Sequence, residues 1–220
     1  MKISKKLIVA IFLIAIIIAF ESIMYGLGRL CSNNPTLLTS NIDNEIPFLP
    51  GFIYPYISWF LMLFFVPIVI YSHSSKNFYN YIATIVVTIL IAFCIFILFP
   101  TTINRPEVSK SNFTLIITNL IFKMDTPPTC CLPSMHCALC FLFILYTINL
   151  KTLKPLYKIL IFIWSLLVII STLFIKQHVI FDIFASILVI TLAYFICKRF
   201  NLYKYVEKIY NKIYFKLSKD

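Results

Sequence analysis

Six long apolar stretches, separated by short polar segments, dominate the pattern along the chain. They cover residues 7–25, 56–71, 81–99, 134–150, 159–174 and 179–197. A helix needs about 20 mostly apolar residues to cross the hydrocarbon core of a bilayer, within a range of about 17–25. The pattern therefore predicts an all-α integral membrane protein, a bundle of about six transmembrane helices forming a single membrane-embedded domain over residues 1–220.

Two further stretches show the period of an amphipathic helix. Residues 111–124 repeat apolar side chains at intervals of three and four, which is typical of a helix lying on the membrane surface. Residues 198–220 carry Lys204, Lys208, Lys212 and Lys216 at intervals of four, beside an apolar face. This basic tail suits the anionic inner leaflet, either as a regulatory segment or as a simple anchor.

Composition supports a membrane setting, because 61% of the residues are hydrophobic and only 12% are charged. A soluble domain has about 45–50% apolar and about 25% charged residues. The net charge of +11 does not indicate nucleic-acid binding, since Lys and Arg lie between apolar runs and in the tail. We therefore expect the bilayer as partner and no nucleic acid.

The distribution of Lys and Arg predicts the orientation of the bundle. Fourteen of the 19 basic residues fall in segments on the same side as the N-terminus, and cytoplasmic segments carry the excess of Lys and Arg. Both termini are therefore predicted to be cytoplasmic. The outer side then holds loops 26–55 and 100–133, the turn before residue 179, and five basic residues: Arg29, Arg105, Lys110, Lys123 and Lys176.

Ionisable side chains at the ends of membrane spans are energetically costly, so each one suggests a function. Arg105, His136, Lys176, His178 and Asp182 come from three separate segments, and all are predicted at the outer surface. His178 and Asp182 are four residues apart and share one helix face. A carboxylate bonded to one ring nitrogen fixes the tautomer and leaves the other nitrogen free to attack phosphorus.

This set of residues matches metal-independent phosphoryl transfer. His136 would protonate the departing oxygen as general acid. Ser134 opens a helix whose free N–H groups attract phosphate, Arg105 offers a fork of donors, and Lys176 offers a point charge. No cluster of carboxylates is placed to hold Mg²⁺, so we expect neither a metal nor a cofactor.

Three segments resemble the motifs of the type-2 phosphatidic acid phosphatase superfamily. They are Arg105-Pro106, then Pro133-Ser134-Met135-His136, and then the spacing of Ser171, His178 and Asp182. Met135 takes the place of a glycine in the second motif. The resemblance implies a phosphatase-like domain with a phosphohistidine intermediate on His178, His136 as acid, no metal, and a lipid phosphate substrate.

Two basic residues of the family pattern are replaced, by Leu98 in the first motif and by Thr172 in the third. A similar thinning occurs in the branch resembling sphingomyelin and inositol-phosphorylceramide synthases, which move a phosphorylated head group between lipids. Lys176 is one candidate to replace a missing cation. Three functions follow: hydrolysis of a phosphomonoester or pyrophosphate on a lipid at the outer leaflet, transfer of a phosphorylated head group onto a lipid or glycan, and non-catalytic binding of lipid phosphates.

The abundance of Ile, Lys and Asn and the short loops indicate a bacterial plasma membrane, with the active site facing outside. The seven cysteines are mostly small apolar side chains in or near spans. A bond from Cys31 to Cys130 or Cys131 remains open, because all three are predicted on the outer, oxidising side.

Overall fold

The computed structural model describes residues 4–109 and 111–219. Lys2 and Lys110, which entered the orientation prediction, and Asp220, at the end of the predicted tail, lie outside the described residues. The helices are α1 Lys5–Cys31, α2 Asn41–Glu45, α3 Ile53–His73, α4 Ser75–Leu98, α5 Phe113–Met124, α6 Met135–Ile148, α7 Pro155–Phe174, α8 Ile180–Phe200 and α9 Tyr203–Lys219. A 3-10 turn covers Pro50–Phe52, and two short strands are β1 Thr36–Leu37 and β2 Thr101–Thr102. The predicted all-α membrane class is confirmed.

Within this described part, five helices are long and apolar enough to cross a membrane: α1, α3 with the preceding turn, α4, α7 and α8. The predicted span at 134–150 is a shorter helix, since α6 has 14 residues. At a rise of 1.5 Å per residue it is about 21 Å long, against about 30 Å of hydrocarbon. A helix of this length can be accommodated because α6 lies among α3, α4, α7 and α8, so protein and not lipid covers most of its sides.

The packed interior of the bundle is built around α6. Leu139, Cys140, Leu142 and Phe143 of this helix are fully buried. The surrounding helices α1, α3, α7 and α8 leave many Phe, Leu and Ile side chains exposed along their outer faces. Such a large exposed apolar surface suits contact with lipid rather than water.

The two ends of the chain meet at one end of the bundle. The Lys5 ammonium donates to the Leu217 carbonyl at 2.8 Å, and the Tyr210 hydroxyl donates to the Lys6 carbonyl at 2.9 Å. Tyr210 also bonds the hydroxyl of Tyr71, near the end of α3. Helix α9 therefore folds back onto α1 and α4, with its four-residue lysine stripe exposed. The side of the membrane on which this end lies stays a prediction.

The loops at the opposite end are tied together by a small parallel sheet. In β1 and β2, Thr36 pairs with Thr101 and Leu37 with Thr102. The Leu132 N–H donates to the Thr101 hydroxyl at 3.0 Å, which joins the segment before α6 to the same sheet. Residues shortly after β2 and at the start of α6 are thereby brought to one place.

Helix α5 packs over this end of the bundle. Its Ile117 and Ile121 contact a buried cluster formed by Ile53, Tyr56 and Ile175. The other members of its apolar repeat remain exposed: Phe113, Ile116, Leu120 and Met124. All seven cysteines are free thiols, so the bond considered between Cys31 and Cys130 or Cys131 is not formed.

Candidate active site

Helix α7 ends in a tight turn before α8, and this turn directs the side chains of Lys176 and Gln177 to different places. The Lys176 N–H bonds the Leu173 carbonyl and the Gln177 N–H bonds the Thr172 carbonyl, the pattern of a Schellman motif. Lys176 occupies the left-handed position of this motif, with φ of 54°, where glycine is usual. Its ammonium donates to the Asp43 carbonyl at 2.7 Å, whereas the Gln177 carboxamide contacts Arg105.

His178 lies immediately before α8 and is held by a buried carboxylate of that helix. Its Nδ1 is 3.0 Å from Oδ2 of Asp182, and the same oxygen accepts the Val179 N–H at 3.1 Å. Asp182 is fully buried. With Nδ1 engaged as a donor, Nε2 of His178 carries the free lone pair that a nucleophile needs.

His136 lies in the first turn of α6, which Ser134 caps by accepting the Cys137 N–H at 3.2 Å. The His136 ring stacks on Tyr56, with 4.5 Å between ring centroids, and contacts Trp59 at 4.2 Å. The centroids of the His136 and His178 rings are 5.7 Å apart. The two imidazoles are thus neighbours although their positions are 42 residues apart in the sequence.

The Arg105 guanidinium is fixed by three acceptor groups, two on Asp125 and one on Gln177. One of its terminal nitrogens donates to the backbone carbonyl of Asp125 at 2.9 Å, and the other donates to the Asp125 carboxylate and to the side-chain amide oxygen of Gln177. Asp125 also accepts the Tyr25 hydroxyl. The guanidinium is therefore held in place, and one carboxylate already offsets its charge.

Both histidines open onto a cavity of about 380 Å³ between α1, α3 and α5, called here the helix cavity. Four buried nitrogen atoms around it have no hydrogen-bond partner among the described residues: Trp59 Nε1, Arg105 Nε, His136 Nε2 and Gln177 Nε2. An unsatisfied buried polar group costs about 1–3 kcal/mol. Four such atoms beside one nucleophile indicate a ligand rich in acceptor oxygens, as a phosphoryl group is.

A second cavity of about 280 Å³, called here the loop chamber, lies among the loops at this end. Arg105 and His178 line both cavities. The remaining polar lining of the loop chamber is Thr39, Asp43, Asn44, Asn104 and Lys176. His178 thus lies where an aromatic, membrane-side cavity and a polar loop cavity meet.

Asp43 connects the wall of the loop chamber to the start of α8. One of its carboxylate oxygens accepts the Ile180 N–H at 2.9 Å, and the other accepts from Ser40. Burial acts to raise the pKa of Asp43, but the hydrogen bonds from Ser40 and Ile180 outweigh it and hold the pKa below its usual value. The carboxylate is therefore ionised at neutral pH and fixes loop 40–46 beside His178.

A family model described as the PAP2 superfamily matches residues 41–196, which is most of the chain. The chain belongs to the PAP2 superfamily. These are the type-2 phosphatidic acid phosphatases whose motifs the sequence resembles. A comparison with curated proteins and a comparison with solved structures each found no match.

The structure brings together four of the residues singled out from the PAP2 motifs: Arg105, His136, His178 and Asp182. Lys176 lines the loop chamber instead of the helix cavity. Ser134 is fully buried, and its hydroxyl serves as the cap of α6. Sequence reasoning missed four residues around this candidate site: Trp59, Asp125, Gln177 and Asp43.

The two positions at which the PAP2 pattern has cations are closed to such a role here. Leu98 is 82% exposed at the end of α4 and faces a groove formed by that helix alone, together with Phe99. Thr172 is fully buried, bonds the Ile169 carbonyl at 2.7 Å and contacts the Cys137 thiol. A long basic side chain at either position would point away from the cavities or clash with packed helices.

Over residues 4–109 and 111–219, no three His, Cys, Asp or Glu side chains are grouped so as to hold a metal ion. Metal independence stays a prediction that activity in a chelator tests.

Proposed function

We propose that this PAP2-superfamily member cleaves the phosphoester or pyrophosphate bond of a membrane lipid, without a metal, through a phosphohistidine on His178. The observation that carries the proposal is the His178–Asp182 pair beside His136, on a cavity lined by unpartnered nitrogen donors. The proposed setting is a bacterial plasma membrane with the site on the outer side, because the basic segments gather at the other end.

In the first step, the Nε2 lone pair of His178 forms a bond to phosphorus. The bond from phosphorus to the lipid oxygen breaks, and that oxygen takes a proton from His136 as it leaves. Asp182 stabilises the positive charge that develops on the His178 ring. The anionic phosphate also favours the protonated form of His136 that a general acid requires.

In the second step, water attacks the phosphohistidine from the side that the lipid has left. His136, now neutral, accepts the proton of this water, and the phosphorus–nitrogen electrons return to His178. We propose that Arg105 and Gln177, each with one buried N–H group that has no partner among the described residues, bond the phosphoryl oxygens during both steps. Preorganised donors of this kind provide a large share of transition-state stabilisation.

Transfer to an alcohol differs from hydrolysis only in the second step, in which an alcohol instead of water attacks the phosphohistidine. The replaced basic positions at Leu98 and Thr172 favour this alternative. A purely lipid-binding role gives no reason for a buried carboxylate to orient the His178 ring toward a neighbouring imidazole.

The proposal is tested with purified protein in detergent and excess EDTA, using phosphatidic acid, phosphatidylglycerol phosphate, phosphatidylglycerol and a polyprenyl pyrophosphate. We expect cleavage of at least one lipid, and a loss of at least about 10³-fold in His178→Ala, as when other covalent enzymes lose their nucleophile. His73→Ala, at the opposite end of α3, is the matched control and should keep full activity. Full activity in His178→Ala would contradict the proposed nucleophile, and a loss in EDTA would contradict metal independence.

A further inference from the structure

The first helix reaches the candidate active site through two side chains on one face. Tyr25 and Arg29 are four residues apart in α1, so they are neighbours on the helix surface. Both line the helix cavity together with His136 and His178. Helix α1 precedes residues 41–196, which the PAP2 model matches, so family membership assigns no role to these two side chains.

A buried glycine allows α1 to come this close to its neighbours. A Cβ atom at Gly28 would lie 3.2 Å from two side-chain atoms of Phe96 and 3.3 Å from the Cys130 sulfur, closer than Cβ atoms usually approach. The Tyr25 ring packs edge-on against Phe96, with 6.2 Å between ring centroids. A larger residue at position 28 would push α1 away from α4 and from the loop that contains Cys130.

Helix α1 holds Asp125, the residue that caps the end of α5, by its side chain and by its backbone. The Tyr25 hydroxyl donates to Oδ1 of the Asp125 carboxylate. Arg29 donates to the carbonyl oxygens of the residues on either side, Met124 at 3.2 Å and Thr126 at 2.7 Å. The position and the rotation of this carboxylate are therefore both set from α1.

Asp125 in turn sets the orientation of Arg105. A carboxylate frequently binds a guanidinium with both oxygens, in a fork of two parallel hydrogen bonds. Here only Oδ2 of Asp125 bonds Arg105, and the second terminal nitrogen donates to the Asp125 backbone carbonyl at 2.9 Å. The Tyr25 hydroxyl occupies Oδ1, the oxygen that the fork would need. Because the guanidinium is planar, fixing both terminal nitrogens also fixes the buried Nε–H, which has no partner among the described residues.

We propose that Tyr25 is a positioning residue for phosphoryl transfer, which acts through Asp125 on Arg105. This inference rests on the proposed function and assigns α1 a part in it. By holding Oδ1, the Tyr25 hydroxyl keeps Asp125 out of the fork and keeps the guanidinium in one orientation. Without that hydroxyl, Oδ1 is free to bond Arg105 and to turn its guanidinium. A misplacement of about 1 Å at a catalytic site can lower the rate by about 10²-fold.

Tyr25→Phe tests the inference, because it removes the hydroxyl and keeps the ring that packs on Phe96. We expect kcat to fall about tenfold or more and KM to stay within about threefold, since a misdirected donor mainly affects the charge that develops in the transition state. Tyr54→Phe is the matched control. It removes a hydroxyl that bonds Thr114 at 2.9 Å near the other end of α5 and lines neither cavity, so kcat should not change.

A double variant separates positioning from a general loss of structure. If Tyr25 acts through Asp125, adding Tyr25→Phe to Asp125→Asn should change kcat by less than about twofold, because each change removes the same arrangement. A purely structural effect would lower the thermal midpoint and would multiply the two losses. The measurements use purified protein in detergent with EDTA, and the lipid of the four above that the wild type cleaves fastest.

Two results would overturn the inference and leave the proposed function intact. A kcat of Tyr25→Phe equal to that of the wild type would show that the hydroxyl does not position Arg105. Losses that multiply in the double variant would show that Tyr25 acts by another route than Asp125. Failure of the proposed function has a different signature, namely a wild-type protein that cleaves none of the four lipids and carries no acid-labile phosphohistidine.

Discussion

A single buried carboxylate decides what His178 is able to do. One oxygen of Asp182 accepts hydrogen bonds from the His178 Nδ1–H and from the Val179 N–H, so the ring tautomer and the start of the helix are set together. Its second oxygen, Oδ1, is buried and has no partner among the described residues. The pair resembles the orienting acid and base of serine hydrolases in its logic, although here the imidazole itself is the proposed nucleophile.

Replacing Asp182 with Asn tests this tautomer control. Because the same oxygen of Asp182 serves both His178 and Val179, Asn has two choices. With its amide oxygen in that place it keeps both bonds but loses the negative charge that stabilises a positive His178 ring, and with its NH₂ group there it moves the ring proton to Nε2 and loses the Val179 bond. We expect kcat to fall by about 10²–10⁴, by analogy with an equivalent change in serine proteases, with a thermal midpoint close to that of the wild type. Kinetics and thermal unfolding in detergent measure the two effects.

The comparison for this experiment is Asp182→Ala, which removes both the tautomer control and the capping bond and should lose activity and stability together. Activity of Asp182→Asn within threefold of wild type would show that neither the negative charge of Asp182 nor its control of the tautomer contributes to kcat.

Sequence spacing was sufficient to find the residues whose roles depend on local geometry. His178 precedes α8 by two residues and Asp182 lies in the first turn of that helix, while Ser134 caps α6 and His136 lies in its first turn. Gln177 and Asp125 were missed because their roles depend on distant contacts with Arg105. The left-handed backbone conformation of residue 176 turns the Lys176 side chain to the loop and leaves the Gln177 side chain at the helix cavity.

Among the elements, the short helix α2 is notable because it fixes the start of α8. Asp43 takes part in the capping box of α2 with Ser40 and also accepts the Ile180 N–H across 137 residues of sequence. Lys176 reinforces the contact by donating to the Asp43 carbonyl. The wall of the loop chamber and the nucleophile are therefore held by the same carboxylate.

This arrangement predicts a dependence of stability on pH. The folded-state pKa of Asp43 is lowered, so its contribution is complete above the unfolded value near 3.8 and is lost as pH falls through the lower folded value. We expect Asp43→Asn to lower the thermal midpoint more at pH 7 than at pH 3. Thermal unfolding in detergent at both pH values measures this difference.

Glu45→Gln, an exposed change in the same short helix, is the control and should leave the midpoint unchanged at both pH values. An equal effect of Asp43→Asn at pH 3 and pH 7 would exclude an ionised Asp43 as the cause.

The hydrophobic pattern of the sequence located the long helices, but it did not show whether lipid or protein surrounds each one. The apolar stretch at 134–150 was predicted as a span, and it contains α6, which is short and enclosed by four other helices. An apolar run has the same sequence pattern whether lipid or protein covers the helix, because both surroundings exclude water. Contacts between α6 and α3, α4, α7 and α8 depend on positions far apart in the sequence, and no local pattern encodes them.

At the scale of the whole molecule, the bundle has two chemically different ends. One end gathers the N-terminal segment, the α3–α4 turn and α9, with Lys6 over the Tyr214 ring and Lys76 over the Tyr203 ring. The other end holds His136, His178 and Arg105. Since cytoplasmic segments carry the excess of basic residues, we predict that the proposed catalytic end faces outside. A lipid substrate would then enter from the outer leaflet.

Site-directed labelling tests this orientation. In a background with Cys31 and Cys94 changed to Ser, single cysteines replace exposed Glu107, two residues after Arg105, or exposed Asn211, on α9. A membrane-impermeant maleimide applied to intact cells should label position 107, and should label position 211 only after permeabilisation, because the lysine-rich end is held inside by the positive-inside bias. The reverse result would place the catalytic pair in the cytoplasm, and the lipid phosphate would then have to come from the inner leaflet.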